Sequence, residues 1–190
     1  NYTIYVTGDE TTSFNCSSGS WTWTANPKTS DGTYTYNLVQ TDAAGNTSSP
    51  PLSLSWERDA TAPSFNATAP TAIEVGQTIS ETKFTDSLSF SGTCEGNNVI
   101  TISNAQSDTI SCSSSNWSWT SQNFTTDGTR TFTFTQADSA GNTSTFSYAW
   151  TRDSNFPALS IDNANIKNNG STATFSGSCE NGLTITITGA

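Results

Sequence analysis

Cys112-Ser113-Ser114-Ser115-Asn116-Trp117-Ser118-Trp119-Thr120 repeats Cys16-Ser17-Ser18-Gly19-Ser20-Trp21-Thr22-Trp23-Thr24 without a gap, at an offset of 96 residues (112 − 16). The same offset carries Asp31-Gly32-Thr33 onto Asp127-Gly128-Thr129, and Asp42-Ala43-Ala44-Gly45-Asn46-Thr47-Ser48 onto Asp138-Ser139-Ala140-Gly141-Asn142-Thr143-Ser144. After a short slip, Trp56-Glu57-Arg58-Asp59 with Pro63 meets Trp150-Thr151-Arg152-Asp153 with Pro157. A further copy begins there, because Phe175-Ser176-Gly177-Ser178-Cys179-Glu180 repeats Phe90-Ser91-Gly92-Thr93-Cys94-Glu95. Self-similarity at a fixed period marks a tandem repeat. The chain therefore divides into 1–62, the C-terminal part of one repeat; 63–156, a complete repeat; and 157–190, the N-terminal part of another.

Within the complete copy, apolar and polar residues alternate between turn signals, which predicts short strands. They fall near 72–75 (A), 88–94 (B), 98–103 (C), 109–112 (D), 116–120 (E), 129–137 (F) and 143–151 (G). Seven strands of this spacing predict an all-β chain of tandem immunoglobulin-like antiparallel β-sandwich repeats. Linkers of only a few residues ending in Pro63 and Pro157 hold the chain extended, so the repeats are expected to form an elongated rod. Phe132 and Phe134 share a face, as do Trp117 and Trp119, and with Tyr36, Leu38, Trp21 and Trp23 of the first copy they are the core candidates.

Composition agrees with strands. Ser and Thr make up about a third of the residues, and charged residues only 12%. A formal net charge of −10 argues against nucleic acid or an anionic membrane as partner and favours cations. No stretch is long and apolar enough to span a membrane, and residues 1–12 lack the pattern of a signal peptide, so the chain reads as a mature or internal piece. Without histidine there is no Ser-His-Asp or Cys-His site, and the acids sit in recurring turns instead of facing one cleft, so no enzyme is expected. The sequons, including Asn46, Asn66, Asn116, Asn123, Asn142 and Asn169, follow from the composition and receive no function.

The run from Phe90-Ser91-Gly92-Thr93-Cys94-Glu95 through Asp127-Gly128-Thr129 and Asp138-Ser139-Ala140-Gly141-Asn142-Thr143-Ser144 to Asp153 and Pro157 resembles the bacterial Ig-like repeats of large surface adhesins. The resemblance implies an extracellular, cell-surface rod that carries a distal binding region, often with calcium between repeats. The chain departs from that pattern in its paired cysteines, and in having Glu57-Arg58-Asp59 and Thr151-Arg152-Asp153 where Val-Asp-Thr is usual.

Strand direction adds a site. In an antiparallel sandwich the E–F loop and the end of G share one pole, which places Asp31 and Asp59 opposite Glu95, Asp138 and Asn142. The next junction sets Asp127 and Asp153 opposite Glu180. Oxygen ligands converging on a short linker suit calcium, although Asp-Gly and Ala-Gly-Asn also recur simply as turns.

Cys94 and Cys112 end strands at one pole and are expected to form a disulfide, as in an oxidising compartment. Strand E would lie between B and D, and two strand spacings of about 4.8 Å exceed the roughly 7 Å reach of a bridge unless the ends curl together. Cys16 and Cys179 have their expected partners outside their own partial repeat or chain. The partners are neighbouring repeats of one chain or, in a filament built by strand complementation, neighbouring subunits. The alternative function is a carbohydrate-binding, lectin-like module that uses exposed Trp and Tyr.

Overall fold

Where the chain alternates, it forms strands that bury one parity and leave the other to solvent. A computed structural model describes residues 2–70, 76, 78–96 and 98–189. In the first copy, β1 (Tyr2–Gly8), β2 (Thr12–Cys16), β3 (Gly32–Thr41) and β4 (Leu52–Arg58) form one antiparallel sheet, in the order β2-β1-β3-β4. The complete copy has two sheets. β5 (Asn66–Ala69), β7 (Ser89–Thr93) and β10 (Asn116–Thr120) make the smaller, ordered β10-β7-β5. β6 (Thr78–Lys83), β8 (Val99–Asn104), β9 (Asp108–Ser111), β11 (Gly128–Ala137) and β12 (Thr143–Arg152) make the larger, ordered β6-β12-β11-β8-β9, with β6 parallel to β12.

The two sheets enclose an aromatic core. β12 turns Phe146, Tyr148 and Trp150 inward, β11 turns Phe132 and Phe134, and the smaller sheet answers with Phe90, Trp117 and Trp119. Phe90 sits at the centre, its ring 4.9 Å from Phe134 and 5.4 Å from Tyr148. Tilted and edge-on aromatic pairs at such distances add to the stabilisation that burial itself supplies, about 1.5–3 kcal/mol for a side chain of this size. The opposite parity explains the hydroxyl-rich composition. On the outer face, Thr133 pairs with Ser147 at 3.0 Å and Thr135 with Thr145 at 3.0 Å, across strands that have no need of apolar side chains there.

Gly92 explains the Phe-Ser-Gly-Thr-Cys motif. A Cβ at this position would stand 1.9 Å from the carbonyl oxygen of Asn66, where β5 crosses close enough for that carbonyl to accept the Trp117 indole N–H at 3.1 Å. Gly177 repeats the device, its missing Cβ falling 1.9 Å from the carbonyl oxygen of Ser160.

Two expectations are corrected, and a third falls outside the described residues. The strand expected at 109–112 is β9, which pairs with β8 in the larger sheet and is not an outer neighbour of the strand bearing Trp117. The expected strand at 72–75 lies outside the described residues; what flanks it is a chain that gives β5 to one sheet and β6 to the other. The Trp21–Trp23 segment is not a strand, although it copies β10, and Trp21 is 41% exposed. β10 hydrogen-bonds to β7, and the described residues 2–58 contain no counterpart of β7. Tyr36, Leu38, Ile4 and Val6 are nonetheless buried, packed with Phe14 and Trp23 on one side of the first sheet. In the described part of 157–189, Leu159 and Cys179 form an isolated antiparallel bridge, and Leu159, Ile161 and Phe175 are exposed.

Candidate functional site

Of the residues singled out by the sequence, Asp31, Asp59, Glu95 and Asn142 lie at the first linker and Asp127 and Asp153 at the second. Gly32 pairs with Arg58, and Gly128 with Arg152, so the register of the last two strands sets each preceding aspartate beside an arginine. Asp31 forms an ion pair with Arg58 and accepts hydrogen bonds from Ala60 N at 3.0 Å and Thr61 Oγ1 at 2.6 Å. Asp127 pairs with Arg152 and accepts from Ser154 N at 3.0 Å, Ser154 Oγ at 2.9 Å and Asn155 Nδ2 at 3.2 Å. These bonds favour the ionised carboxylates. The Thr61 hydroxyl, the Ala60 N–H and Arg58 hold Asp31 below the usual carboxylate range, and the Ser154 amide and hydroxyl with Arg152 do so for Asp127.

Asp59 and Asp153 act locally. Each accepts the N–H two residues on, from Thr61 and Asn155, both at 3.0 Å.

On the far side of the first linker, Glu95 accepts from Ser64 N at 2.9 Å. The Glu95 turn is itself held by Gln136, fully buried, which accepts from Glu95 N at 3.1 Å and donates to Glu95 O at 2.9 Å. Asn142 donates to the carbonyl of Asp59 at 3.2 Å, and Ser144 Oγ donates to that of Pro63. The linker between the first and second copies is thus bonded to both.

Asp138 faces its own hairpin loop. It accepts from Ala140 N and from both the amide and the side chain of Asn142, all at 2.9 Å, and the Asn142 bonds lower its pKa. Asp42 and Asn46 repeat this loop. Glu180 is exposed in the 157–189 segment. The structure therefore brings Asp31, Asp59, Glu95 and Asn142 to one linker as hydrogen-bonding partners of that linker. Among the described residues, no three Asp, Glu, Cys or His side chains are grouped to hold a metal ion.

Cys94 and Cys112 are disulfide-bonded, with Cα atoms 5.8 Å apart. The expected obstacle, an intervening strand, is absent because β9 lies in the sheet opposite β7, so the bridge crosses between sheets. Cys16 is a free, half-buried thiol and Cys179 a free, exposed one.

Sequence reasoning missed the arginines. Arg152 has only 9% of its side chain exposed, and also receives Asp86, whose Oδ1 accepts from Nε at 3.0 Å and Nη2 at 2.9 Å. The signal was parity: Arg152 continues the inward series Phe146, Tyr148, Trp150.

Residues 1–56, which hold β1 to β3 and most of β4, match a family model described as a bacterial Ig-like domain. The resemblance to bacterial Ig-like repeats stands. A solved structure, a tetra-tandem repeat in the extending region of a large adhesion protein, aligns at 21% identity with a TM-score of 0.37, covering 85% of this chain and 44% of its own. The chain thus spans less than half the length of that tandem-repeat chain. No curated protein matches it.

Proposed function

We propose that this chain is a stalk segment of an extracellular, cell-surface adhesin-like protein, a non-enzymatic spacer whose repeats carry a distal binding region. The observation that supports this most is the first linker, in which Asp31 holds Ala60 and Thr61 from one side while Glu95, Asn142 and Ser144 hold Ser64, Asp59 and Pro63 from the other. A linker bonded to both neighbours transmits direction and tension, and a flexible tether does not. Small-angle scattering on chains of increasing repeat number tests the reading. The maximum dimension should grow by an equal increment with each added repeat, and growth closer to the square root of repeat number would sink the idea.

The carbohydrate-binding alternative draws no support from the complete repeat, and its exposed aromatic residues, Trp21 at 41% and Tyr2 at 51%, lie in the first copy. Trp117 and Trp119 are 4% and 7% exposed, and their rings face Phe90 and Phe134 in the core.

A further inference from the structure

The two junctions share one geometry although their linkers, Ala60-Thr61-Ala62 and Ser154-Asn155-Phe156, share no residue. In both, the carboxylate at the start of the penultimate strand holds the arginine that ends the last strand, the backbone N–H two residues beyond that arginine, and a linker side chain. We propose that Asp31 and Asp127 are positioning residues of an aspartate–arginine latch that sets the direction in which each repeat leaves its predecessor, the guanidinium standing where a divalent cation would otherwise serve.

This inference rests on the stalk reading. A guanidinium keeps its charge at any accessible pH and offers several N–H donors in a fixed plane, so it can be anchored in the sandwich and still face a carboxylate. Arg152 is anchored in this way: Asp86 takes its Nε and Nη2, and the Phe84 ring lies 5.7 Å from its Cζ. Asp127 then spends its first oxygen on Arg152 and Ser154 N, and its second on Ser154 Oγ and Asn155 Nδ2. Asp31 divides its oxygens likewise between Arg58 with Ala60 N and Thr61 Oγ1. A divalent cation would have to displace those donors and sit beside a positive charge, which both Coulomb repulsion and the used lone pairs oppose.

Residual dipolar couplings of the full chain test the latch at the first junction, by asking whether the β1–β4 sheet and the β7–β12 sandwich share one alignment tensor. The expected result is one shared tensor, the same in calcium and in chelator. Asp31→Ala should split it into two of unequal magnitude. Asp42→Asn, whose carboxylate serves only its own loop, should leave it single. Amide shifts of β1 and β3 check that the Asp31→Ala sheet is folded, and Arg58→Gln provides an independent break. A single tensor surviving in both variants overturns the latch and leaves the stalk reading intact, and a calcium-induced change in the unaltered chain overturns the cation replacement. Two tensors in the unaltered chain would remove the stalk reading, and the latch with it.

Discussion

Cys94 at the end of β7 and Cys112 at the end of β9 join the two sheets of the complete repeat at one pole, their Cα atoms 5.8 Å apart. The bridge closes a segment of 18 residues, and a loop of that size restricts the unfolded chain by about 3 kcal/mol. The double variant Cys94→Ala/Cys112→Ala should therefore unfold at a clearly lower urea concentration with an unchanged core. Coincident urea curves for the two proteins would show that the bridge adds nothing to what the sheets already hold.

Two tryptophan pairs with nearly the same flanking sequence should respond differently to truncation. Trp117 is packed among Phe65, Phe134 and Phe146, so Trp117→Ala should cost about 3–5 kcal/mol of the complete repeat's stability. Trp21 is 41% exposed, and Trp21→Ala should change stability by about 0.5 kcal/mol or less. Guanidinium unfolding followed by circular dichroism measures both. Equal losses would mean that the first copy has a covering layer in solution.

Gly92 permits a close crossing of β5. Gly92→Ala sets a methyl group against the Asn66 carbonyl and the Trp117 indole, 1.9 Å and 2.8 Å from the ideal Cβ, and must push the strands apart. A loss of about 1–3 kcal/mol is expected, as for an overpacked core. Hydrogen exchange should show the added opening first at β5 and β7, and unchanged protection there would contradict the prediction.

Acid should weaken the chain through five aspartates whose ionised form the fold favours. The pKa values of Asp31, Asp42, Asp108, Asp127 and Asp138 are lowered in the folded chain by hydrogen bonds from Thr61, Asn46, Trp119, Ser154 and Asn142 respectively. A folded pKa below the unfolded value means that the stabilisation is present above about pH 4 and is lost as pH falls through the folded values. Thermal melting should be level from about pH 7 to 5 and decline below about pH 4. Asp138→Asn should flatten that decline, and a midpoint rising on acidification would reverse the assigned sign.

Much of the fold is legible in residue order. The parity of Phe132, Phe134, Phe146, Tyr148 and Trp150 specifies which face is buried, because successive strand side chains point to opposite sides whatever the strand pairs with. The recurrence of Asp42 and Asp138 with their loop partners Asn46 and Asn142 is legible for the same reason, since that hydrogen bonding is local. The junction was legible only as a place. Topology brought Asp31, Asp59, Glu95 and Asn142 to one linker, but whether each carboxylate would meet a cation, a linker amide or an arginine depends on side-chain directions that spacing leaves open.

The sequence by itself determined the repeat, the strand parity and the self-contained turns, all of which follow from neighbours a few residues apart. Tertiary structure decided that β9 joins the larger sheet so that Cys112 can reach Cys94, that Trp117 is core while Trp21 is exposed, and that Arg58 and Arg152 hold the linkers. Each of those outcomes depends on a hydrogen-bonding or packing partner distant in the chain. A strand carries donors and acceptors on both edges, and only the assembled fold determines what meets them.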